Sequence, residues 1–364
     1  MNPYQQLTAR SFWRPAVAEP AVEEIGELWT PKFAIGQDDP VLTAGSCFAA
    51  ELGRALIDNG MNFHDAEPAP PGLTRDQRQA RHYGEFSFRT GNIYTAAVLR
   101  QWLSWAFGEQ APAEVWEDDG RFFDPYRPSI EPDGFASPGE MLAARSTTLS
   151  AIRQAVSGAS CLIFTLGLTE SWRNLADGTT YPVCPGTVRG ATRDKAGFTP
   201  GSKAGFIAGD KAGFTPFDPE LHRFHNFTFV EVQHELGEAI ALVRAVNPGI
   251  RVLLTVSPIP LTATATGGHA LVANTYSKSV LRAVAGQLAA DHDHVDYFPS
   301  YELITGQPFR GAFYDDNLRT VTRDGVAFVM RHFMSAFART SRPTTALPGG
   351  DLCDDAVLDY YSPR

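Results

Sequence analysis

The chain is poor in the features that mark small secreted domains, membrane spans and nucleic-acid binders. Its four cysteines, Cys47, Cys161, Cys184 and Cys353, are scattered without a C-x-x-C spacing. That pattern offers neither a disulfide framework nor a zinc site, and reduced thiols are expected. No apolar run approaches the roughly 18 residues a spanning helix needs. The polar start, Met1 to Arg10, lacks the apolar core of a signal peptide. The expectation is a cytoplasmic protein without a membrane span. Lys and Arg form no run and the formal charge is -10, so the phosphate-tracking surface of a nucleic-acid binder is missing. A neutral or cationic small molecule is the easier ligand. No metal or cofactor is expected, and nothing in the composition speaks to oligomeric state.

What is present is enough apolar material for a large core: 43 % of 364 residues. Strand-like segments alternate with helical ones, the pattern of a parallel sheet wrapped by helices. Val41 to Ala44 leads into a helix from Ala49 to Asn59, stopped by Gly60. Thr95 to Phe107 reads as helix. Ser137-Pro138-Gly139-Glu140 supplies a cap, a proline at the first helical position and a glutamate at the third, so a helix runs to about Val156. Cys161 to Leu166 is a buried strand. Thr228–Val246, Val252–Val256, Asn274–Ala290, Val295–Phe298 and Asp324–Thr340 continue as helix, strand, helix, strand and helix. Glu67 to Gly72, rich in proline, and Trp116 to Gly134, rich in Asp and aromatics, read as loop. Asp194–Pro200 recurs as Asp210–Pro216 around a partial copy, Lys203–Phe206. So short and Gly/Pro-rich a repeat suits a surface insertion at about residues 189–217 rather than a solenoid. Removing Asp194 to Gly209 is expected to leave a folded protein.

Gly45-Ser46-Cys47-Phe48-Ala49 carries the most chemistry. A strand turning through glycine into a helix sets Ser46 at the carboxyl edge of the sheet, exposed and beside a helix N-terminus. There it is either a nucleophile or an N-cap. Three further turns are expected to converge on it. Gly91-Asn92 offers a backbone N–H and an amide to an oxyanion, or is a plain turn. Gly167 to Glu170 follows the central strand, where Thr169 or Glu170 points into the site or caps a helix. Ser257-Pro258-Ile259-Pro260 leads into a Thr/Gly-rich loop ending at His269. A serine needs a base. His292 and His294 lie in an exposed turn, His234 and His332 on helices at solvated positions, and His222 and His225 in a loop without a third metal ligand. His64 and His82 flank the second loop. His269 is the most plausible base, or else a surface histidine.

Gly45-Ser46-Cys47-Phe48-Ala49 resembles the signature of the GSCFA domain family, a branch of the SGNH/GDSL-like hydrolases. The likeness extends over roughly residues 30 to 340. It includes Glu67–Gly72, Gly91–Thr95, Phe164–Glu170, Cys184-Pro185-Gly186-Thr187, Ser257–Leu261, Tyr276-Ser277-Lys278-Ser279 and Tyr297–Glu302. The resemblance implies a flavodoxin-like three-layer α/β/α sandwich with a parallel sheet of about five strands. It organises the chain as an N-terminal extension over 1–30, a GSCFA/SGNH-like α/β domain over 31–340 and a C-terminal tail over 341–364. It makes Ser46 the nucleophile, with Cys47 beside it, and Gly91 an oxyanion donor. The chain departs from the superfamily pattern twice. Leu168-Thr169-Glu170 stands where an asparagine is usual, so one oxyanion donor is missing or Asn92 supplies it instead. Asn317 and Thr320 stand where an Asp-x-x-His pair is usual, so either His269 replaces the base, with Asp315 or Asp316 to orient it, or the protein no longer hydrolyses anything. The implied function is an ester hydrolase or O-acyltransferase working on a small or carbohydrate-like acylated substrate. Acyl transfer through Cys47, or a non-catalytic binding or scaffold protein on the same fold, are the alternatives.

Overall fold

Strands that are apolar throughout, not in alternation, belong where both faces of a sheet are covered. In β1 (Val41–Gly45) and β4 (Cys161–Leu166) every residue is buried. The computed structural model describes residues 2–187 and 217–338; the Asp194–Pro216 repeat and Cys353 lie outside them. The chain divides into two units, Ile35–Tyr297 and a second comprising Met1–Ala34 with the chain from Phe298 onward.

The first unit holds the site. Its four-stranded sheet runs in the order β1, β4, β8 (Arg251–Val256), β9 (Val295–Phe298). β1 lies parallel to β4 with Gly45 opposite Thr165, and β4 parallel to β8 with Leu166 opposite Val256. Helices flank it in a three-layer α/β/α arrangement: α1 (Phe48–Asp58) packs on β1 and β4, and α6 (Ala270–Asp291) on β8. α3 (Ala96–Phe107), α4 (Pro138–Gly158) and α5 (Phe229–Val246) pack against one another, and α2 (Arg75–Ala80) is a short surface turn of helix. About five strands are expected; among the described residues the parallel sheet has four, with one further parallel bridge between Val41 and Phe63.

Helix ends follow the sequence signals. Thr95, Ser137 and Thr228 each accept a hydrogen bond from the backbone of the first turn, and Gly60 closes α1 at φ +68°. Three details differ. α4 includes Gly158 instead of stopping before it. α6 starts at Ala270, not Asn274, because His269 caps it. The segment 116–134 is not wholly irregular: β2 (Trp116–Asp118) and β3 (Arg121–Phe123) form a hairpin. Asp119-Gly120, both left-handed at φ +49° and +68°, makes the tight turn that an Asp-Gly pair favours. A second sheet, β6 (Thr180–Tyr181), β5 (Glu170–Asn174), β7 (His222–Asn226), is antiparallel and continues directly from the loop after β4.

In the second unit, α7 (Ser300–Thr305) and α8 (Arg323–Ala338) pack together. Trp29 stacks on Phe333 with ring centres 6.0 Å apart and meets Phe298 edge-on at 5.0 Å. His332 is half-buried on α8, and burial followed by the Arg331 charge holds its pKa below the ordinary imidazole value. Among the described residues no helix is long and apolar enough to cross a membrane.

Candidate functional site

At the carboxyl edge of the sheet, Gly45 takes φ +132°, a conformation costly for any residue with a Cβ. A Cβ there would lie 2.4 Å from Thr165 O. The chain then turns so that Ser46 N–H donates to Thr165 O at 3.0 Å and Ser46 O accepts from Ala49 N at 2.7 Å, opening α1. Cys47, not Ser46, occupies the cap position of α1, and neither side chain caps it. Ser46 was expected at an exposed rim; it is buried, at 2 % exposure, while Cys47 next to it is exposed. The cover comes from two loops packed over the turn.

The first loop follows Arg89. Ile93 N–H donates to Gly45 O at 2.8 Å, which holds Gly91 and Asn92 against the Gly45-Ser46 turn. The second leaves β4. Gly167 and Leu168 both donate to Tyr94 O, at 3.0 and 2.9 Å, tying the two loops together. Gly167 also packs on the serine, for a Cβ built on it would sit 3.1 Å from Ser46 Cβ and 3.1 Å from Tyr94 O. Enclosed there, Ser46 Oγ and Asn92 Oδ1 have no hydrogen-bond partner among the described residues. The N–H groups of Gly91 and Asn92 likewise donate to no acceptor among them. Buried polar atoms without partners are rare, and each calls for an explanation.

The loop after β4 is otherwise used up. Thr169 N–H donates to Ser277 Oγ at 3.0 Å, and Thr169 Oγ1 to Asn226 Oδ1 at 2.7 Å. With Gly167 and Leu168 on Tyr94 O, none of these three amides is left for an oxyanion, and Ser46 N–H is committed as well. Glu170 turns away to Thr264 Oγ1 (2.6 Å) and Ala265 N (3.2 Å), where its carboxylate tethers the Thr/Gly-rich loop. That loop ends at His269, which is exposed and whose Nδ1 accepts from Leu271 N at 3.1 Å as the cap of α6. Ser257 is buried and its Oγ accepts from Ile259 N at 3.3 Å. Asp316 belongs to the second unit, on an exposed turn closed by the Tyr314–Val321 bridge. There Asn317 accepts from Arg319 and Thr320 at 2.8 Å, and the Asn317 and Thr320 side chains join at 2.9 Å. His222 and His225 lie on β7 rather than in a loop. His222 is buried edge-on to Tyr181, while His225 meets Glu231 at 2.8 Å.

Two features of the site went unread in the sequence. The first is a buried ionic network behind Arg89. Asp124 bonds Arg127 Nε at 2.8 Å and Arg145 Nη2 at 2.7 Å, and all three side chains are enclosed. Burial pulls the Asp124 carboxyl up, but the attraction of Arg127 and Arg145 and their hydrogen bonds outweigh it and hold its pKa below the usual carboxylate range. Arg127 in turn donates to Arg89 O at 2.8 Å, and Glu67 accepts from Arg89 N at 2.8 Å and from Thr148 Oγ1 at 2.8 Å. Both backbone polar groups of Arg89 are thereby pinned just before Gly91. The second is Lys278, buried on α6, whose Nζ donates to Gly167 O at 2.8 Å. A lysine in the apolar stripe of α6, in phase with Leu281 and Ala285, is the signal that marks it.

The two loops over Ser46, with β1 through β9, fall within one stretch that known sequences recognise. The profile of the GSCFA family matches residues 40–333. No curated protein matches the chain. A match that covers well over half of the chain and begins one residue before β1 is decisive for kinship: this protein belongs to the GSCFA family.

Proposed function

We propose that the protein is a serine ester hydrolase or O-acyltransferase of the SGNH type, acting on a small or carbohydrate-like acylated substrate, with Ser46 as nucleophile. The observation that carries this reading is an enclosed serine hydroxyl without a hydrogen-bond partner among the described residues, beside a loop in which the Gly91 and Asn92 N–H groups are also unclaimed among them. An N-cap serine would have used its oxygen. Ser46 Oγ attacks the acyl carbon, the carbonyl oxygen gathers charge against the Gly91 and Asn92 N–H groups, and the alcohol leaves. Water or an acceptor hydroxyl then takes the acyl group from Oγ. Substrate reaches Ser46 by displacing what packs over it.

The test is Ser46→Ala. Hydrolysis of a short-chain aryl ester and covalent labelling by a fluorophosphonate should both disappear, and persistence of either in the variant would reject Ser46. A specific observation favours a second reading: Cys47 is the exposed thiol among the described cysteines and stands at the start of α1. Acyl transfer retained in Ser46→Ala and lost in Cys47→Ala would select it. A ligand bound against the Ser46 loops without acyl-enzyme from any donor would select a binding protein on the same fold.

A further inference from the structure

The inner face of α6 is built from Ala273, Ser277, Leu281, Val284, Ala285 and Leu288, all buried. Lys278 stands among them at 1 % exposure. Removing an ammonium from water costs several kcal/mol even after relaxation, so an alkyl side chain would serve packing better.

Its position is specific. Nζ donates to Gly167 O at 2.8 Å, and the α-carbon of the same Gly167 faces Ser46, with 3.1 Å between a built Cβ and Ser46 Cβ. The preceding residue, Ser277, accepts Thr169 N–H at 3.0 Å, so two adjacent side chains of α6 grip the loop that covers the serine. One glycine separates a buried amine from a serine oxygen that makes no hydrogen bond.

We infer that Lys278 is the proton acceptor and donor for Ser46. This rests on the reading of Ser46 as nucleophile. On substrate binding, neutral Nζ leaves Gly167 O for Ser46 Oγ and takes its proton as the Oγ–C bond forms and the carbonyl π pair moves to oxygen. When the tetrahedral adduct collapses, the C–O bond to the leaving alcohol breaks and the ammonium returns that proton to the alkoxide. Water or an acceptor hydroxyl then attacks the acyl-enzyme, and Nζ takes its proton and hands it to Ser46 Oγ. A catalytic contact absent from the free enzyme and formed in the complex is ordinary for such a base.

The experiment compares the rate of fluorophosphonate labelling of Ser46, read by mass spectrometry, in the wild type, Lys278→Met and Lys278→Arg. Both variants should label at least about 100-fold more slowly, the loss expected for a missing base. Arginine keeps the charge but does not accept a proton. Labelling of Lys278→Arg within about threefold of wild type would therefore reduce Lys278 to a positioning cation and overturn the inference, as would fast labelling of Lys278→Met. Wild type that never labels sinks the Ser46 reading itself. Should both variants lose cooperative melting, a crystal structure of the phosphonylated wild type decides: Nζ within about 3.5 Å of Oγ or the phosphoryl oxygen upholds the inference, and more than about 6 Å overturns it.

Discussion

Gly167 and Ser46 are in contact across two loops: a Cβ on the glycine would come within 3.1 Å of the serine Cβ and 3.1 Å of Tyr94 O. Gly167→Ala should therefore push the serine or Tyr94 by a few tenths of an ångström and cost about 1–3 kcal/mol by overpacking. Labelling of Ser46 should slow about tenfold or more, since small misplacements at a reacting atom are expensive. Urea denaturation and labelling rates, measured on the same variant, check both.

Ser46→Ala makes the opposite prediction for stability. Its Oγ has no hydrogen bond to lose, and the variant relieves an unsatisfied buried hydroxyl. Stability should stay within about 0.5 kcal/mol of wild type or rise, where an N-cap serine would cost about 1 kcal/mol. A loss of that size in a thermal melt would mean that the hydroxyl does have a partner.

His269 is the cap of α6 by its Nδ1. His269→Ala should lower stability by about 1 kcal/mol and His269→Asp should recover it. Parallel loss of Ser46 labelling in both variants would restore the imidazole as proton acceptor.

Asp124→Asn leaves Arg127 and Arg145 enclosed without their counter-charge and should cost about 3–5 kcal/mol. The folded pKa of Asp124 lies below its unfolded value. Its contribution is thus complete above the unfolded carboxylate pKa of about 3.9 and lost as pH falls through the folded value. The difference in unfolding free energy between wild type and Asp124→Asn should be flat from pH 7 to about 5 and shrink only in stronger acid.

Iodoacetamide should modify Cys47 before Cys161 or Cys184. Cys47 is exposed, whereas burial pushes the Cys161 thiol up to about 12 and the Cys184 thiol up to about 11, where little thiolate forms near neutrality. Peptide mapping after a short pulse shows the order, and faster labelling of either of the other two would contradict it.

Local chemistry wrote most of the scaffold into the sequence. The largely apolar stretches Val41–Gly45 and Cys161–Leu166, the caps at Thr95, Ser137 and Thr228, and the glycine turn before Ser46 each depend on neighbours a few residues away, and each formed where such signals put it. The Asp119-Gly120 hairpin turn was equally local but was masked by the aromatic and proline-rich residues around it. What only the tertiary structure decided was which polar atoms are satisfied. Whether the amides of Ser46, Gly167, Leu168 and Thr169 are free depends on Thr165, Tyr94 and Ser277, residues up to 119 positions away in the chain that the sheet edge brings together. The burial of Ser46, the turning of Glu170 toward Thr264, and the meeting of Lys278 with Gly167 arise the same way. Hydrogen bonding is fixed by distance and angle in space, and a linear sequence encodes those only through the fold.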